Sequence, residues 1–210
     1  RRIPFANRYD VSEVVAIPEA WVLPQAWRRV TDRLRANGVD MVPLASDTTM
    51  LLNVTWIESF ESSAQPYEGH HPVRVDSTRS ELVPVDLYAG DWVIPSDQPA
   101  KRYLAEVLSP KGHDSFLVWN FFDAALQRKE YYSSYVFEDT AEGLLQNDDG
   151  LRARYEAAKD LHPEWQASPS LALRWLYEQS PNNEGTANRH PVYSMPNSLP
   201  FSLFRIFTRC

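Results

Sequence analysis

The chain has 210 residues, a formal net charge of −7 and 43% hydrophobic residues. This length and composition can build a core without disulfide or metal cross-links, so we expect a globular protein. The acidic balance gives no overall basic field to attract nucleic acid, and no apolar run reaches the roughly 20 residues that cross a bilayer. We therefore expect no nucleic-acid partner and no membrane span.

The two ends of the chain carry further signals. The only cysteine is Cys210, which leaves no partner for an internal disulfide and no thiolate cluster for a metal. The chain begins Arg-Arg-Ile-Pro, without a methionine or a secretory apolar region. From this start we expect a fragment or a processed product, in which residues 1–12 form an arm or linker.

Strand signals dominate the first half of the chain. In the clearest case Leu52, Val54 and Trp56 alternate with polar residues. Glu58 falls on the apolar face, which predicts a bulge or the exit of the strand. The segments predicted as strands or extended chain are 13–17, 20–23, 39–44, 49–61, 72–76, 82–88 and 91–94. Residues 39–95 are therefore predicted to be rich in β-structure.

One helix is predicted between the second and third of these segments, and the others lie in the second half. Trp27, Val30 and Leu34 share one face of the early helix. Pro24 suits its first turn, and Gly38 suits its C-terminal end. The helices predicted from apolar spacing in the second half cover 100–108, 135–146, 149–159 and 168–178.

These elements together predict an α+β fold. We expect a mostly antiparallel, mixed sheet with an N-terminal strand-helix-strand unit and a helical C-terminal half. A β-sandwich with appended helices is the alternative. We expect a single domain over residues 13–180, rich in strands at 39–95 and in helices at 96–180. Prolines and polar turns predict an extended tail over residues 181–210.

Histidines and acidic residues give the first candidate site. A zinc hydrolase needs imidazoles and carboxylates at fixed spacing, and none of the five histidines begins a His-x-x-Glu or His-Glu-x-x-His pattern. Glu68, His70 and His71 form the one dense cluster. Adjacent histidines on extended chain point to opposite faces, so at most one joins Glu68. We expect a polar turn or a hydrogen-bond network, with a binding or metal role, or an independent hydrolase using all three residues, as alternatives.

A serine nucleophile is not supported by the sequence. His113, Asp114 and Ser115 are consecutive, and side chains this close along the chain do not supply the geometry of a catalytic triad. No Gly-x-Ser-x-Gly elbow is present. The seven glycines form no phosphate-binding or dinucleotide-binding loop.

The densest aromatic stretch is DSFLVWNFFDAALQRKEYYSSYVFED, residues 114–139. Residues 114–127 are apolar nearly all round, which predicts a buried segment of either secondary structure. We favour a buried aromatic segment whose polar residues satisfy one another and the backbone. The alternative is an aromatic cleft with paired carboxylates, as in glycosidases or peptide-binding sites. The binding candidates in this stretch are Trp119, Asn120, Asp123, Lys129 and Glu130.

Several blocks of the sequence occur in an order that points to one family. They are AWVLPQAWRRVTDRLRANGVDMVPL, PYEGHHPV, GDWVIPSDQPAKRYLAEVLSP, DSFLVWNFFDAALQRKEYYSSYVFEDTAEGLL and YEQSPNNEGTANRHPVY. Over about residues 14–194, the chain resembles the region that follows the catalytic domain in large, secreted or periplasmic bacterial proteins of the M14 family of zinc carboxypeptidases.

The resemblance implies an accessory, non-catalytic region that packs on the catalytic domain of its parent or helps to bind substrate. The family's zinc site uses a His-x-x-Glu pair and a distant histidine, and no position here matches the pair. No catalytic or zinc-binding residue is therefore assigned and no cofactor is expected in this chain, while zinc is expected in the parent's catalytic domain.

The partners that the resemblance implies are that catalytic domain and a peptide or cell-wall polymer, in a secreted or periplasmic setting. The alternative is a self-standing carbohydrate- or peptide-binding module. The aromatic residues Trp92, Trp119, Tyr131 and Tyr132 motivate this alternative, and their exposure would favour it.

Overall fold

A computed structural model describes residues 16–127, 131–183 and 185–196. These residues fall into two compact units. The sheet unit comprises the described residues up to 126 and from 188 onward, and the helical unit comprises those between 127 and 187. The single domain predicted over residues 13–180 stays a prediction.

The sheet unit contains one antiparallel sheet of six strands in the order β2-β5-β1-β6-β3-β4. The strands are β1 (Ala20–Leu23), β2 (Val42–Pro43), β3 (Thr48–Ser62), β4 (Val73–Leu87), β5 (Trp92–Pro95) and β6 (Tyr193–Ser194). Every pairing in this sheet is antiparallel. The predicted α+β class is confirmed, and the described strands form one sheet rather than the two of a sandwich.

Five α-helices accompany the sheet in the described residues. The sheet unit holds α1 (Arg28–Ala36) and α2 (Lys101–Leu108), and the helical unit holds α3 (Ser134–Asn147), α4 (Asp149–Leu161) and α5 (Pro169–Glu178). Short 3-10 turns cover Asp123–Ala125 and Pro163–Gln166. Among the helices of the described chain, none has the length and apolarity to cross a membrane.

Both faces of the sheet are buried at strand β1. Along β1, Trp21 and Leu23 join a core cluster that also receives Leu34 of α1 and Leu104 of α2. The intervening residues of the same strand point the other way and join a second cluster, whose members include Ala20, Val22, Leu52, Val54 and Val93. Side-chain alternation along the strands therefore divides the core into two layers.

The bulge predicted at Glu58 is present. The pairing register of β3 with β4 shifts between Ile57 and Ser59 and again between Ser59 and Phe60. Ile57 and Phe60, three positions apart, consequently pack in the same core cluster. A bulge has this effect because its extra residue reverses the alternation of the strand beyond it.

Strand β4 is continuous where two separate strands, 72–76 and 82–88, were predicted. The polar residues that separate the predicted strands are paired across the ladder. The hydroxyls of Thr55 and Ser80 are 2.8 Å apart, as are those of Ser59 and Ser77, and the Arg79 guanidinium lies 4.5 Å from the Trp56 ring centroid. Such cross-strand pairs sustain a strand without apolar alternation.

Two smaller differences concern the ends of the early elements. Helix α1 begins at Arg28 and not at Pro24, because the carbonyl of Pro24 closes a turn with the amide of Trp27 at 3.2 Å. The predicted strand 39–44 is reduced to Val42–Pro43. Of the segment 13–17, residues 16 and 17 are not in a strand, and the rest lies outside the described residues.

Part of the predicted tail belongs to the sheet. Strand β6 pairs with β1 on one side and with β3 on the other. The amide of His190 donates to the carbonyl of Thr55 at 2.8 Å, and Tyr193 and Met195 are buried. The segment around β6 therefore completes the core of the sheet unit, a role that the sequence did not predict.

Asp91 fixes the turn between β4 and β5. It is buried, and its carboxylate accepts hydrogen bonds from the amides of Gln25 at 2.9 Å and Tyr88 at 2.8 Å. We expect Asp91→Ala to lower the free energy of unfolding by about 2–3 kcal/mol, because two part-buried amides lose the charged acceptor that they share. Urea denaturation measures this change. The exposed Asp97 gives the control, since Asp97→Ala should cost less than about 0.5 kcal/mol; equal costs would contradict this role.

Candidate functional site

The first half of the candidate site is the tip of the hairpin between β3 and β4. A two-residue turn closes it, in which the amide of Tyr67 donates to the carbonyl of His70 at 2.8 Å and the amide of His70 donates to that of Tyr67 at 2.9 Å. The central residues, Glu68 and Gly69, have φ of 48° and 79°. Positive φ at both positions is the geometry of the type I′ turn, which matches the twist of a hairpin.

The second half is the loop that follows α2, and Asn120 fastens it to the hairpin. The side-chain oxygen of Asn120 accepts from the amide of His71 at 3.0 Å, and its Nδ2 donates to the carbonyl of His71 at 2.9 Å. Nδ2 also lies 3.1 Å from Oδ1 of Asp123. Asn120 has φ of 65°, a left-handed conformation that asparagine tolerates better than most residues. One side chain therefore locks two loops together.

Three aromatic rings meet where these loops join. The His70 ring is perpendicular to that of Trp119 at 5.5 Å between centroids, and the Tyr67 ring lies 6.2 Å from Trp119. Nε1 of Trp119 donates to Oδ1 of Asp114 at 3.2 Å, which fixes the orientation of the indole. Tyr67 is 60% exposed, and Trp119 and His70 are half-buried. We call Tyr67, His70 and Trp119 the aromatic platform.

The structure brings together most of the residues singled out in the sequence. His70, Trp119, Asn120 and Asp123 lie in this site, and His71 joins it through its backbone. Lys129 and Glu130 lie outside the described residues. Glu68 is exposed on the turn.

The adjacent histidines point in different directions, as the sequence predicted for extended chain. The ring of His70 contacts Trp119, whereas Nδ1 of His71 donates to the carbonyl of Ser63 at 2.8 Å. That ring nitrogen must carry the hydrogen, because a carbonyl oxygen only accepts. Over residues 16–127, 131–183 and 185–196, no three histidine, cysteine or acidic side chains group in a way that could hold a metal ion.

The consecutive residues His113, Asp114 and Ser115 have separate roles. Ser115 is buried, and its hydroxyl accepts from the amide of Val118 at 3.2 Å. Nδ1 of His113 is 3.9 Å from Asp114, and the His113 side chain is 97% exposed. Asp114 instead holds the indole of Trp119. Asp114 and Ser115 therefore shape the loop that carries Trp119, whereas the His113 side chain is exposed.

Most polar atoms around the platform already make hydrogen bonds within the protein. The Asn120 amide, the Trp119 Nε1–H and the His71 Nδ1–H all bond to protein oxygens. What the site offers to a ligand is aromatic surface held in a fixed position. Such surface binds the apolar face of a sugar ring or of a peptide side chain.

His190 packs against Phe122, which follows Trp119 and Asn120 in the chain, and its pKa is lowered. Its ring packs edge-on against Phe122 at 5.4 Å, and Nε2–H donates to the carbonyl of Leu108 at 3.0 Å. Burial, which penalises the charged ring, lowers the pKa of His190 from 6.5 to about 4. Nδ1 is buried and has no hydrogen-bond partner in the described part of the chain. His190 is therefore neutral near pH 7.

Sequence reasoning missed two residues of this site. Tyr67 was not singled out, although Glu-Gly between Tyr67 and His70 is a usable turn signal, because glycine accepts positive φ without cost. Asp114 was considered as part of a triad and not as the acceptor of an indole N–H. No spacing rule identifies that pair, because it depends on how the loop folds.

The fold and the site together define an α+β protein with an exposed aromatic surface on a rigid pair of loops. Comparisons of the chain with protein-family models, curated proteins and solved structures find no match. The resemblance to the M14 family of zinc carboxypeptidases therefore stays a prediction, carried by the sequence blocks alone.

Proposed function

We propose that this chain is an accessory recognition region and that the aromatic platform is its ligand-binding surface. One observation carries the proposal: three aromatic rings meet where the hairpin tip joins the loop that follows α2. Asn120 holds the two loops together, and Asp114 accepts a hydrogen bond that orients the Trp119 indole. Pre-organised aromatic surface reduces the entropy that binding costs. A site of this kind suits recognition by contact with rings.

The ligand that fits this surface has a flat apolar face and does not need many polar partners from the protein. A pyranose ring of a glycan meets this requirement, and so does a large apolar side chain of a peptide. Both belong to the peptide or cell-wall polymer that we propose as the partner of this region. The rings of Tyr67 and Trp119 would lie against that face.

We further propose that the region acts within a larger protein that is similar to zinc carboxypeptidases of the M14 family. There it would pack on the catalytic domain or present substrate to it, and the zinc ion would be bound by that domain. The sequence blocks support this context, and it implies a secreted or periplasmic protein. Sequencing the gene upstream of Arg1 tests it, since an M14 domain is expected and its absence would reject the context.

A self-standing carbohydrate- or peptide-binding module is the second candidate function. Exposure supports it in part, because Tyr131 is 90% exposed whereas Trp92, Trp119 and Tyr132 are half-buried. The isolated chain would then bind its ligand as tightly as the parent protein does. A much weaker affinity of the isolated chain would favour the accessory role.

Replacing one tyrosine tests the platform, and a matched tyrosine provides the control. Tyr67 and Tyr88 are both 60% exposed and both lie at turns of the sheet unit. We expect Tyr67→Ala to weaken binding about tenfold, the worth of one aromatic contact, and Tyr88→Ala to leave it unchanged. The measurement is a tryptophan-fluorescence titration with chito-oligosaccharides, cello-oligosaccharides and short aromatic peptides. No saturable response across this panel, or equal losses in the two variants, would overturn the proposal.

A further inference from the structure

The helical unit contains a cleft that is separate from the aromatic platform. Its volume is about 460 Å³, and residues of α3, α4, α5 and the Pro163–Gln166 turn line it. Sites for small ligands have volumes of about 300–1,000 Å³, so this cleft is at the small end. It suits a small molecule more than a polymer.

The floor of the cleft is apolar and rigid. Trp165, Ala172 and Leu176 line it and are almost fully buried. The Trp165 ring stacks with His162 at 4.9 Å and with Tyr155 at 5.9 Å, and it also lies 5.9 Å from Trp175. Because these rings support one another, the floor keeps its shape without a ligand.

Opposite charges border the same cleft. Lys159 comes from α4 and Glu138 from α3, and both are exposed. Nζ of Lys159 lies 2.9 and 3.2 Å from the two carboxylate oxygens of Glu156 and 4.5 Å from the Tyr155 ring centroid. An ammonium group has three N–H donors, so it can also donate to a further anion. Glu138 has no ion pair or hydrogen bond with any other described residue.

We propose that this cleft binds a free α-amino acid with a large apolar side chain. The α-carboxylate meets Lys159, the α-ammonium meets Glu138, and the side chain rests on the floor beside Trp165. A simple anion would face the carboxylate of Glu138, and an uncharged ligand would give that carboxylate no partner. A zwitterion with an apolar side chain matches the two signs and the floor together. This site goes beyond the proposed function, because it lies in a different unit and takes a different ligand.

The test uses the full chain, labelled with ¹⁵N, and L-leucine as the probe. We expect saturable chemical-shift changes at the Trp165 indole N–H and at amides of α3, α4 and α5. N-acetyl-L-leucine amide has the same side chain and no charge, and we expect it to bind at least about tenfold more weakly. Equal affinity for the two probes, or no saturable change at the cleft, would overturn the proposal.

Charge variants assign the two ends of the ligand. Glu138→Gln and Lys159→Gln are each expected to weaken binding of L-leucine about tenfold. Asp139→Asn on α3 and Arg154→Gln on α4 are matched controls outside the cleft and should leave the affinity unchanged. All four residues are exposed, so the dispersion of the ¹⁵N spectrum should be preserved. Losses of the same size in the controls would reject the pairing of the ligand's carboxylate with Lys159 and of its ammonium with Glu138. Rejection of this cleft site would have no bearing on the titration of the aromatic platform.

Discussion

Asn120→Ala is expected to lower the free energy of unfolding by about 2–3 kcal/mol. The asparagine makes two hydrogen bonds to the His71 backbone in the other loop, each worth about 1 kcal/mol, and alanine is strained at its φ of 65° by about 1 kcal/mol. Urea denaturation followed by tryptophan fluorescence measures the change. Because Asn120 also holds Trp119 beside Tyr67 and His70, ligand affinity should fall as well.

Other replacements at the same position separate conformation from hydrogen bonding. Asn120→Gly accepts the left-handed conformation but loses the hydrogen bonds, so its stability should lie between those of the wild type and the alanine variant. Asn120→Asp keeps an acceptor for the amide of His71 and places a second carboxylate near Asp123. We expect it to be destabilised and to recover on acidification. An alanine variant as stable as the wild type would show that Asn120 does not stabilise the two loops.

The second large effect is a pH dependence that originates at His190. Its pKa is about 4 in the folded chain, against an ordinary value of 6.5, so the unfolded chain binds a proton at pH values where the folded chain does not. The resulting stability is fully present above pH 6.5 and is lost as the pH falls toward 4. Since one pKa unit corresponds to about 1.4 kcal/mol, the loss should be about 3 kcal/mol.

The His190→Gln variant isolates this contribution. Glutamine does not titrate, and its amide can still donate to the carbonyl of Leu108. The stability difference between wild type and variant should therefore shrink by about 3 kcal/mol between pH 7 and pH 4. The other ionisable groups are the same in both proteins, so their contributions cancel in the difference. A difference that stays constant over this range would show that folding does not lower the pKa of His190.

The elements with strong local signals were predicted closely from the sequence. Strand β1 has the predicted bounds, and α1 ends at Ala36, two residues before Gly38, whose φ is 71°. Helices α3 and α5 lie within about two residues of their predicted ends. The predictions that failed depended on pairing partners. The polar centre of β4 is a strand because β3 lies beside it, and β6 has only two residues, too few for any periodicity to be detected.

The candidate site was predictable in its residues but not in its arrangement. Asn120 and His71 were both singled out, yet they are 49 positions apart, and no spacing pattern connects loops so distant. The aromatic stretch was expected to be buried, and Phe116, Leu117 and Phe122 are buried. Trp119 departs from this pattern because the tight turn at Asn120 brings it beside the hairpin tip.

The most direct test of the aromatic platform follows the indole N–H of Trp119 by NMR. The ¹⁵N-labelled chain is titrated with the oligosaccharide or peptide that gives the strongest fluorescence response, and Trp119→Phe assigns the signal. We expect the Trp119 indole signal and the amides of residues 63–72 to shift together with one dissociation constant. Saturable shifts confined to other tryptophans, with the Trp119 signal unchanged, would contradict the assignment of this platform as the recognition surface.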